Sequence, residues 1–386
     1  MITERIGLAE HFENLEDPRS RDCPHDFFEI LIITICAVIC GMETWGEMQL
    51  FAIERQDWLI NKVGLKLEHG IPSRQTFMRV ISAIDPLKFQ EQFIAWAQAV
   101  SKKLKEVVAI DGKTCRGSYD TASGKRPLHI VSAWCQANGI TLGQLAVDEK
   151  SNEITAIPKL LDMLVLKGCI ITIDAMGCQK EIAAKIITEA AHYVFGLKGN
   201  QGFFAQQIRD HLDKIFDSGD VTNIKHSFHE SPATVDHGRI EKRKALAILI
   251  KPEEKEYDSV HLWSGLKSAV LIERTRIDKA TRKESIERAY YISSLEPDAQ
   301  KLLECTKAHW EVENKLHWML DVIFGEDASK IRTGDAPHNL SAIRKLAHYH
   351  LKEETSQKLG VKMKQKKAAF STEYLEKVLA TTLSTD

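Results

Sequence analysis

Two short apolar runs, VVAI at 107–110 and CIITI at 169–173, do most to limit what this chain can fold into. Both are dense in β-branched residues and lack polar alternation. That is the pattern of strands covered on both faces, and such a sheet needs helices above and below it. Each run then stops on a carboxylate, Asp111 and Asp174. After the second hairpin strand the periodicity predicts a helix at about 154–165, then another at about 180–191, with a further strand in HYVFGLKG. Strand-helix-strand order calls for parallel crossovers. LHIVSAWCQ and ITLGQLAV are joined through Asn138-Gly139, a strong hairpin signal, so those two strands are antiparallel. The reading is an α/β fold: a mixed five-stranded sheet with helices packed on it.

Around this core the character of the chain changes. Residues 1–104 read as an all-helical N-terminal domain, with apolar segments at 27–41, 45–60 and 86–104. Within it, GIPSRQTFMRVISAI makes Ser73 an N-cap and spaces Phe77, Val80, Ile81 and Ile84 along one face, leaving Arg74, Gln75 and Arg79 opposite. That polar face suits either plain hydration or entry into a DNA major groove. The first part of the core spans 105–218, and 219–295 reads as a β-rich insertion with strands at 235–250, 268–276 and 284–294. Residues 296–353 hold the final part of the core, with a long helix from about 298 to 324, and 354–386 form a tail with one helix and the basic run KMKQKK.

Composition narrows the class and leaves the partner open. Apolar residues make up 44% and charged residues 27%, as in ordinary soluble globular chains. The net charge of −2 announces no global basic field, so any nucleic-acid contact must come from local Lys and Arg clusters. The opening MITERIGLAE has no apolar signal region, and ILIITICAVICGM at 30–42 is too short to span a bilayer and reads as a buried helix. No membrane is expected and a cytoplasmic location is. Eight scattered cysteines without a Cys-x-x-Cys pair read as reduced thiols, with Cys36 and Cys40 filling a core.

The two strand-end aspartates are the candidates for chemistry. In a mixed sheet of this order the first and fourth strands can lie side by side, which would bring Asp111 and Asp174 together. Two ionised carboxylates that close repel unless a cation sits between them or one keeps its proton. Mg²⁺ or Mn²⁺ suits such an oxygen-only set. Taken singly, each aspartate could as well begin a turn or cap a helix. A third acid is expected from HWEVENKLHWMLDVIFGED: projected as a helix, Val312, Leu316, Met319, Leu320 and Ile323 form the buried stripe, with His309, Glu313, His317 and Asp321 along its border. Glu313 is therefore expected to be half-buried, and Glu311 and Lys315 to face solvent. His309, Glu313 and His317 could alternatively hold zinc, although the His-Glu-x-x-His spacing is absent. DGKT lacks the glycine of a phosphate loop, and neither a nucleophile elbow nor a dinucleotide fingerprint occurs.

Several motifs together point to a family. AIDGKT, TIDAMGCQ and HWEVENKLHWMLDV, with DPR near the start, KSNEITAIPKLL, LKGNQ, HGRIEKR, YYISSL and GEDASKIRTGDAPHNLS, closely resemble the H-repeat-associated (Rhs element-linked) DDE transposases of bacterial insertion sequences, over nearly the whole chain. The resemblance implies a ribonuclease-H-like core with an N-terminal helical domain that binds DNA ends and a β-rich insertion before the last catalytic helix. It implies Asp111, Asp174 and Glu313 as the catalytic acids and as the ligands of two Mg²⁺ or Mn²⁺ ions, about 3.5–4 Å apart in sites of this kind. Asp111 would bridge both ions. The activity implied is hydrolysis at element ends followed by strand transfer. The partners implied are double-stranded DNA, terminal repeats and target alike, with the protein as a homodimer on the nucleoid. Candidate DNA contacts are Lys113, Arg116, Lys125, Arg126, Lys198, Arg239, Lys242, Arg243 and His309, with Arg74 and Arg79 on the N-terminal helix. Each may equally be a plain surface charge, and Trp310 or Trp318 could stack on a base or pack on the insertion. Related transposases carry Tyr and Arg before the Glu and a Lys seven residues after it, where this chain has Thr306, His309 and Leu320. Lys198 or Lys330 could supply the missing base. A nuclease of the same fold without strand transfer, or a DNA-binding remnant that has lost catalysis, would share these features.

Overall fold

The computed structural model describes residues 11–19, 23–101, 106–119, 124, 126–147, 152–236, 238–251, 257 and 259–380. Lys125 lies outside them. The N-terminal part is helical as expected. Helix α1 (Phe27–Ile39) is capped by Asp26, whose side chain accepts from the Glu29 N–H, and is buried nearly all round, so it is the core helix its apolar run implied. Helix α2 (Trp45–Glu54) begins with a reciprocal Thr44–Glu47 capping box. Ser73 caps α3 (Arg74–Ala83), which buries Phe77, Val80 and Ile81 and exposes Arg74, Gln75 and Arg79. Asp85 caps α4 (Pro86–Val100), with proline in the first turn where its missing N–H costs nothing.

The core strands are β1 (Val107–Cys115), β2 (Leu128–Cys135), β3 (Ile140–Ala146), β4 (Ile170–Ile173) and β5 (His192–Leu197). The helices α5 (Glu153–Asp162) and α6 (Lys180–Thr188) make the crossovers. Their order is β3-β2-β1-β4-β5, with β1 antiparallel to β2 and parallel to β4, and β4 parallel to β5. The first and fourth strands are thus neighbours. After α7 (Gly202–Ser218) come β6 (His226–Glu230), β7 (Thr234–Asp236), β8 (Arg239–Leu249), β9 (Ser268–Asp278) and β10 (Glu284–Ser293). These strands do not form a separate layer. β10 pairs antiparallel with β5, Tyr290 opposite Leu197 and Ser293 opposite Val194, and the insertion extends the sheet to ten strands. An uncovered β5 would present a row of unpaired backbone groups, and β10 removes that edge.

The chain then enters α8 (Ala299–Val312), which passes through a π-helical turn at Glu313–His317 into Trp318–Val322. Alternate strand residues belong to two separate cores. Tyr193 and Phe195 pack in the cluster that holds Ile157 and Ile182 of α5 and α6, while Val194, Ile170 and Val107 pack with Leu302 and Leu303 of α8. Hence α8 lies across the opposite face of the sheet from the crossover helices. Helix α9 (Ala336–Glu353) is buried against α1, α3 and β3, and α10 (Val361–Phe370) and α11 (Thr372–Leu379) close the chain. The tail therefore has two helices where one was expected, and in its KMKQKK run Lys364 is buried, bonded to the Leu351 carbonyl at 3.0 Å. Seven of the eight cysteines are buried free thiols and Cys23 is exposed. No described helix is long and apolar enough to cross a membrane.

Candidate active site

The puzzle of a dry strand that meets a carboxylate resolves in the register. Ile110 stands opposite Ile173, and β4 ends there. β1 does not end; it runs on through Asp111 to Cys115 with β2 as its remaining partner. Asp111 and Asp174 are thus abreast at the point where the sheet opens beside β1. Side chains alternate along strands, so Val107, Ala109 and Asp111 share a face with Ile170, Thr172 and Asp174. That is the face on which α8 lies, and Glu313 begins the π turn of that helix. All three acids line one cavity of about 310 Å³.

The three acids sit differently. Asp111 accepts the Gly112 N–H at 3.0 Å, and its Oδ2 is 3.6 Å from His317 Nδ1. Burial pushes its carboxyl up to about 7, and the neighbouring carboxylates of Glu153, Asp174 and Glu313 add to the push. Asp174 accepts the N–H groups of Met176 at 2.9 Å and Gly177 at 3.3 Å, which locks it at the head of the turn leaving β4. Glu313 is exposed, not half-buried. The expected stripe of Val312, Leu316, Leu320 and Ile323 is buried, with Met319 packed beside it, but a regular 100° projection does not hold across a π turn, and such turns recur at functional sites. Glu311 is likewise not free: it accepts from Gln136 and Lys315, both at 2.7 Å.

The two histidines of this helix serve separate partners. His309 is buried, hydrogen-bonded to Thr172 at 3.1 Å and pushed down to about 4 by burial, so it is neutral. His317 is pushed down to about 3 by burial and then by Lys345, and its Nε2 is buried without a partner. Among the described residues no three His, Cys, Asp or Glu side chains already converge as a metal cluster; that holds for the zinc arrangement of His309, Glu313 and His317 and equally for Asp111, Asp174 and Glu313, which share a cavity without yet closing on one point.

The expected basic contacts divide. Arg74, Arg79, Arg116, Arg126, Lys198, Arg239 and Lys242 are exposed, and Lys198 also lines the acid cavity. Arg243 is partly covered and paired with Glu241. Lys113 is a correction: its ammonium is buried among Asp321, Asp327 and Glu326 at 2.6, 3.0 and 3.1 Å and is not presented to a ligand. It faces inward because it shares the α8 side of β1 with Asp111, two residues away. His309 is likewise a buried wall of the cavity, not a surface contact. Trp310 and Trp318 are each 52% exposed, so neither is packed away. Of the positions that replace the related enzymes' Tyr and Lys, Thr306 bonds the Leu303 carbonyl at 2.8 Å and Leu320 is core.

Two cavity residues were missed. Arg209 lies 5.3 Å over the Tyr290 ring with its Nε unpaired, and Arg288 is held by Asp213, Asp217 and Glu273. Arg209 reaches the cavity from α7, where it donates to the Leu197 carbonyl of β5 at 3.2 Å, and the β5–β10 pairing brings Arg288; no local pattern announces either.

This architecture has relatives. The family profile described as Transposase DDE domain matches residues 102–349, and one described as DDE_Tnp_1-associated matches 9–97. The chain belongs to the DDE transposase family. “Putative transposase YncI” of Escherichia coli O157:H7 is 43% identical over 380 residues, covering 97% of this chain and 94% of that one. “H repeat-associated putative transposase YhhI” of Escherichia coli K12 is 41% identical over 377 residues and 97% of each chain. A piggyBac transposase in a synaptic complex with hairpin DNA overlays with a TM-score of 0.42 at 11% identity, covering 96% of this chain and 78% of that one, a likeness too weak to carry a conclusion.

Proposed function

We propose that this DDE-family protein is a DNA transposase that hydrolyses phosphodiester bonds at insertion-sequence ends and joins the freed ends to target DNA, with Asp111, Asp174 and Glu313 as its catalytic acids. The observation that carries the reading is the Ile110–Ile173 register, which sets both aspartates side by side under the helix that bears Glu313. The donor set fits Mg²⁺ or Mn²⁺: three carboxylates line one cavity, and burial together with the neighbouring carboxylates pushes Asp111 up to about 7, a strain that a divalent ion would relieve. Asp111, Asp174 and Glu313 would be the side chains that hold such ions. When bound, divalent ions supply the acidity that activates water and steadies a departing 3′ oxygen.

The chain's own side chains prepare that chemistry. The Met176 and Gly177 N–H groups fix one oxygen of Asp174 and leave the other free. Neutral His309, bonded to Thr172, walls the cavity without adding a charge. Lys198, exposed at the same cavity, is the better replacement for the missing basic residue, since it lines the acid site while Lys330 is exposed elsewhere. Duplex DNA, both element end and target, is the proposed substrate, bound by a homodimer on the nucleoid, with α3 and the 1–104 region on the ends. The test is nicking of labelled element ends with Mg²⁺ supplied or withheld. Asp111→Asn is expected to abolish nicking and spare DNA binding; nicking at the wild-type rate refutes the assignment. Joining of pre-cut ends to a plasmid separates a transposase from a nuclease.

A further inference from the structure

The acid cavity has a second wall that the three carboxylates do not use. β4 stops at Ile173 and β5 at Leu197, and the cavity passes over these strand ends to Arg209 of α7 and to Arg288 and Tyr290 of β10. The two arginines stand in opposite conditions. Every nitrogen of Arg288 donates to a carboxylate: Nε to Glu273, Nη1 to Asp213 and Asp217, and Nη2 to Asp217. Arg209 has no such partner. Among the described residues its guanidinium makes one hydrogen bond, from Nη2 to the Leu197 carbonyl at 3.2 Å, and its Nε is buried without an acceptor.

The acids that α7 could offer it are engaged elsewhere. Asp210 accepts from Gln206, and Asp213 accepts from Arg288 and, through both oxygens, from the Tyr290 hydroxyl at 3.0 and 2.9 Å. Asp213 thereby fixes the Tyr290 ring, and Arg209 lies 5.3 Å over that ring. A guanidinium held on an aromatic face keeps its N–H edge for an oxyanion, and a buried donor left unsatisfied in a cavity calls for an acceptor. We propose that Arg209 is a phosphate-binding residue that donates to a non-bridging oxygen of a DNA phosphodiester flanking the scissile one; this rests on the reading of the acid cavity as the place where DNA is cut. The cavity then divides its work. The acids take the ions that act on the reacting phosphate, and the one arginine without a carboxylate holds a neighbouring phosphate that carries no ion. Because this grip needs no metal, it is present in the ion-free protein.

The probes are element-end duplexes that each carry one neutral methylphosphonate, stepped through the positions on either side of the cut and bound to the full chain without divalent ion. At the phosphate held by Arg209 the wild type is expected to lose about tenfold in affinity, the size of one charge-assisted hydrogen bond. Arg209→Gln is expected to weaken binding of the unmodified end by a similar factor and to become insensitive, within about twofold, to the methylphosphonate at that one position, with every other position keeping its effect. If Arg209→Gln keeps the whole wild-type profile, or weakens binding without erasing one position, the residue is structural and the assignment is overturned, while Mg²⁺-dependent nicking by the wild type leaves the cleavage reading standing. If the wild type does not bind the unmodified end, the cleavage reading fails and the Arg209 assignment with it. Should Arg209→Gln fail to fold by circular dichroism, Arg209→Met, which keeps an apolar stem against Tyr290, takes its place under the same criterion.

Discussion

Replacing Lys113 by Met tests whether the buried charge cluster behind the site holds β1 and the Glu313 helix together. Lys113 comes from β1, and Asp321, Glu326 and Asp327 follow the π turn, so the ammonium is a buried polar tie between the strand of Asp111 and the helix of Glu313. Its side chain is 9% exposed and that of Glu326 1%. Removing one partner of a buried ion pair costs about 3–5 kcal/mol because the other charge is left uncompensated. Glu326 retains Arg344 at 3.7 Å, and Lys345 also acts on it, which places the loss near the bottom of that range, about 3 kcal/mol. The pH dependence supplies a second readout. Burial alone would raise the Glu326 carboxyl, but Lys345, Lys113 and Arg344 together hold it down to about 2 from 4.5. A depressed carboxyl contributes stability above its unfolded value and loses it as pH falls toward the folded one. The gap between wild type and Lys113→Met should therefore be widest at neutral pH and narrow from about pH 4.5 toward pH 2. Urea unfolding at pH 7 and pH 3 measures both. A loss below about 1 kcal/mol at pH 7, or one that does not shrink in acid, refutes the reasoning.

Asp111 gives the opposite sign. Its folded value of about 7 lies above the usual 3.8, so the ion-free protein should lose stability as pH rises through that window. At roughly 1.4 kcal/mol per pH unit the full loss is about 4 kcal/mol, an upper figure because the side chain keeps some solvent. Asp111→Asn should then raise the melting temperature at pH 8 without Mg²⁺ and leave it unchanged at pH 4; equal effects at both would mean the carboxyl is not strained by its neighbours. Arg74→Gln and Arg79→Gln decide between the two meanings of the α3 face. If these side chains meet phosphates, each change should flatten the dependence of log affinity on log salt by about one; an unaltered slope makes the face plain hydrated surface. Lys198→Met is expected to slow Mg²⁺-dependent nicking by at least tenfold with DNA affinity changed less, and a normal rate would remove Lys198 from the reaction.

The legible parts of the fold share a cause. β-branched runs, the Asn138-Gly139 turn and the Ser73 cap act over a few residues, so the order of strands and helices in 105–218 could be read from local pattern alone. Chain order and crossovers allow β1 and β4 to be neighbours, which would pair Asp111 with Asp174, and the parallel register shows the two strands adjacent. What local pattern does not carry is a partner chosen from far along the chain. The pairing of β5 with β10 joins residues about a hundred positions apart, and it makes the insertion an extension of the core sheet and sets Arg288 and Tyr290 on the cavity wall.

Lys113 and Glu313 show the same limit at the scale of one side chain. A lysine two residues past a strand aspartate looks like an exposed base, because nothing nearby reveals that three carboxylates from residues 321–327 will meet it. A uniform 100° helix would leave Glu313 half-buried at the border of the stripe. The π turn starts at that residue, turns its carboxylate out of the stripe and into the acid cavity, and keeps Val312 and Leu316 in the core on either side. A carboxylate that faces the cavity has to leave the apolar layer that anchors its own helix. Here the helix meets that conflict by changing its period at the one residue where the two demands collide.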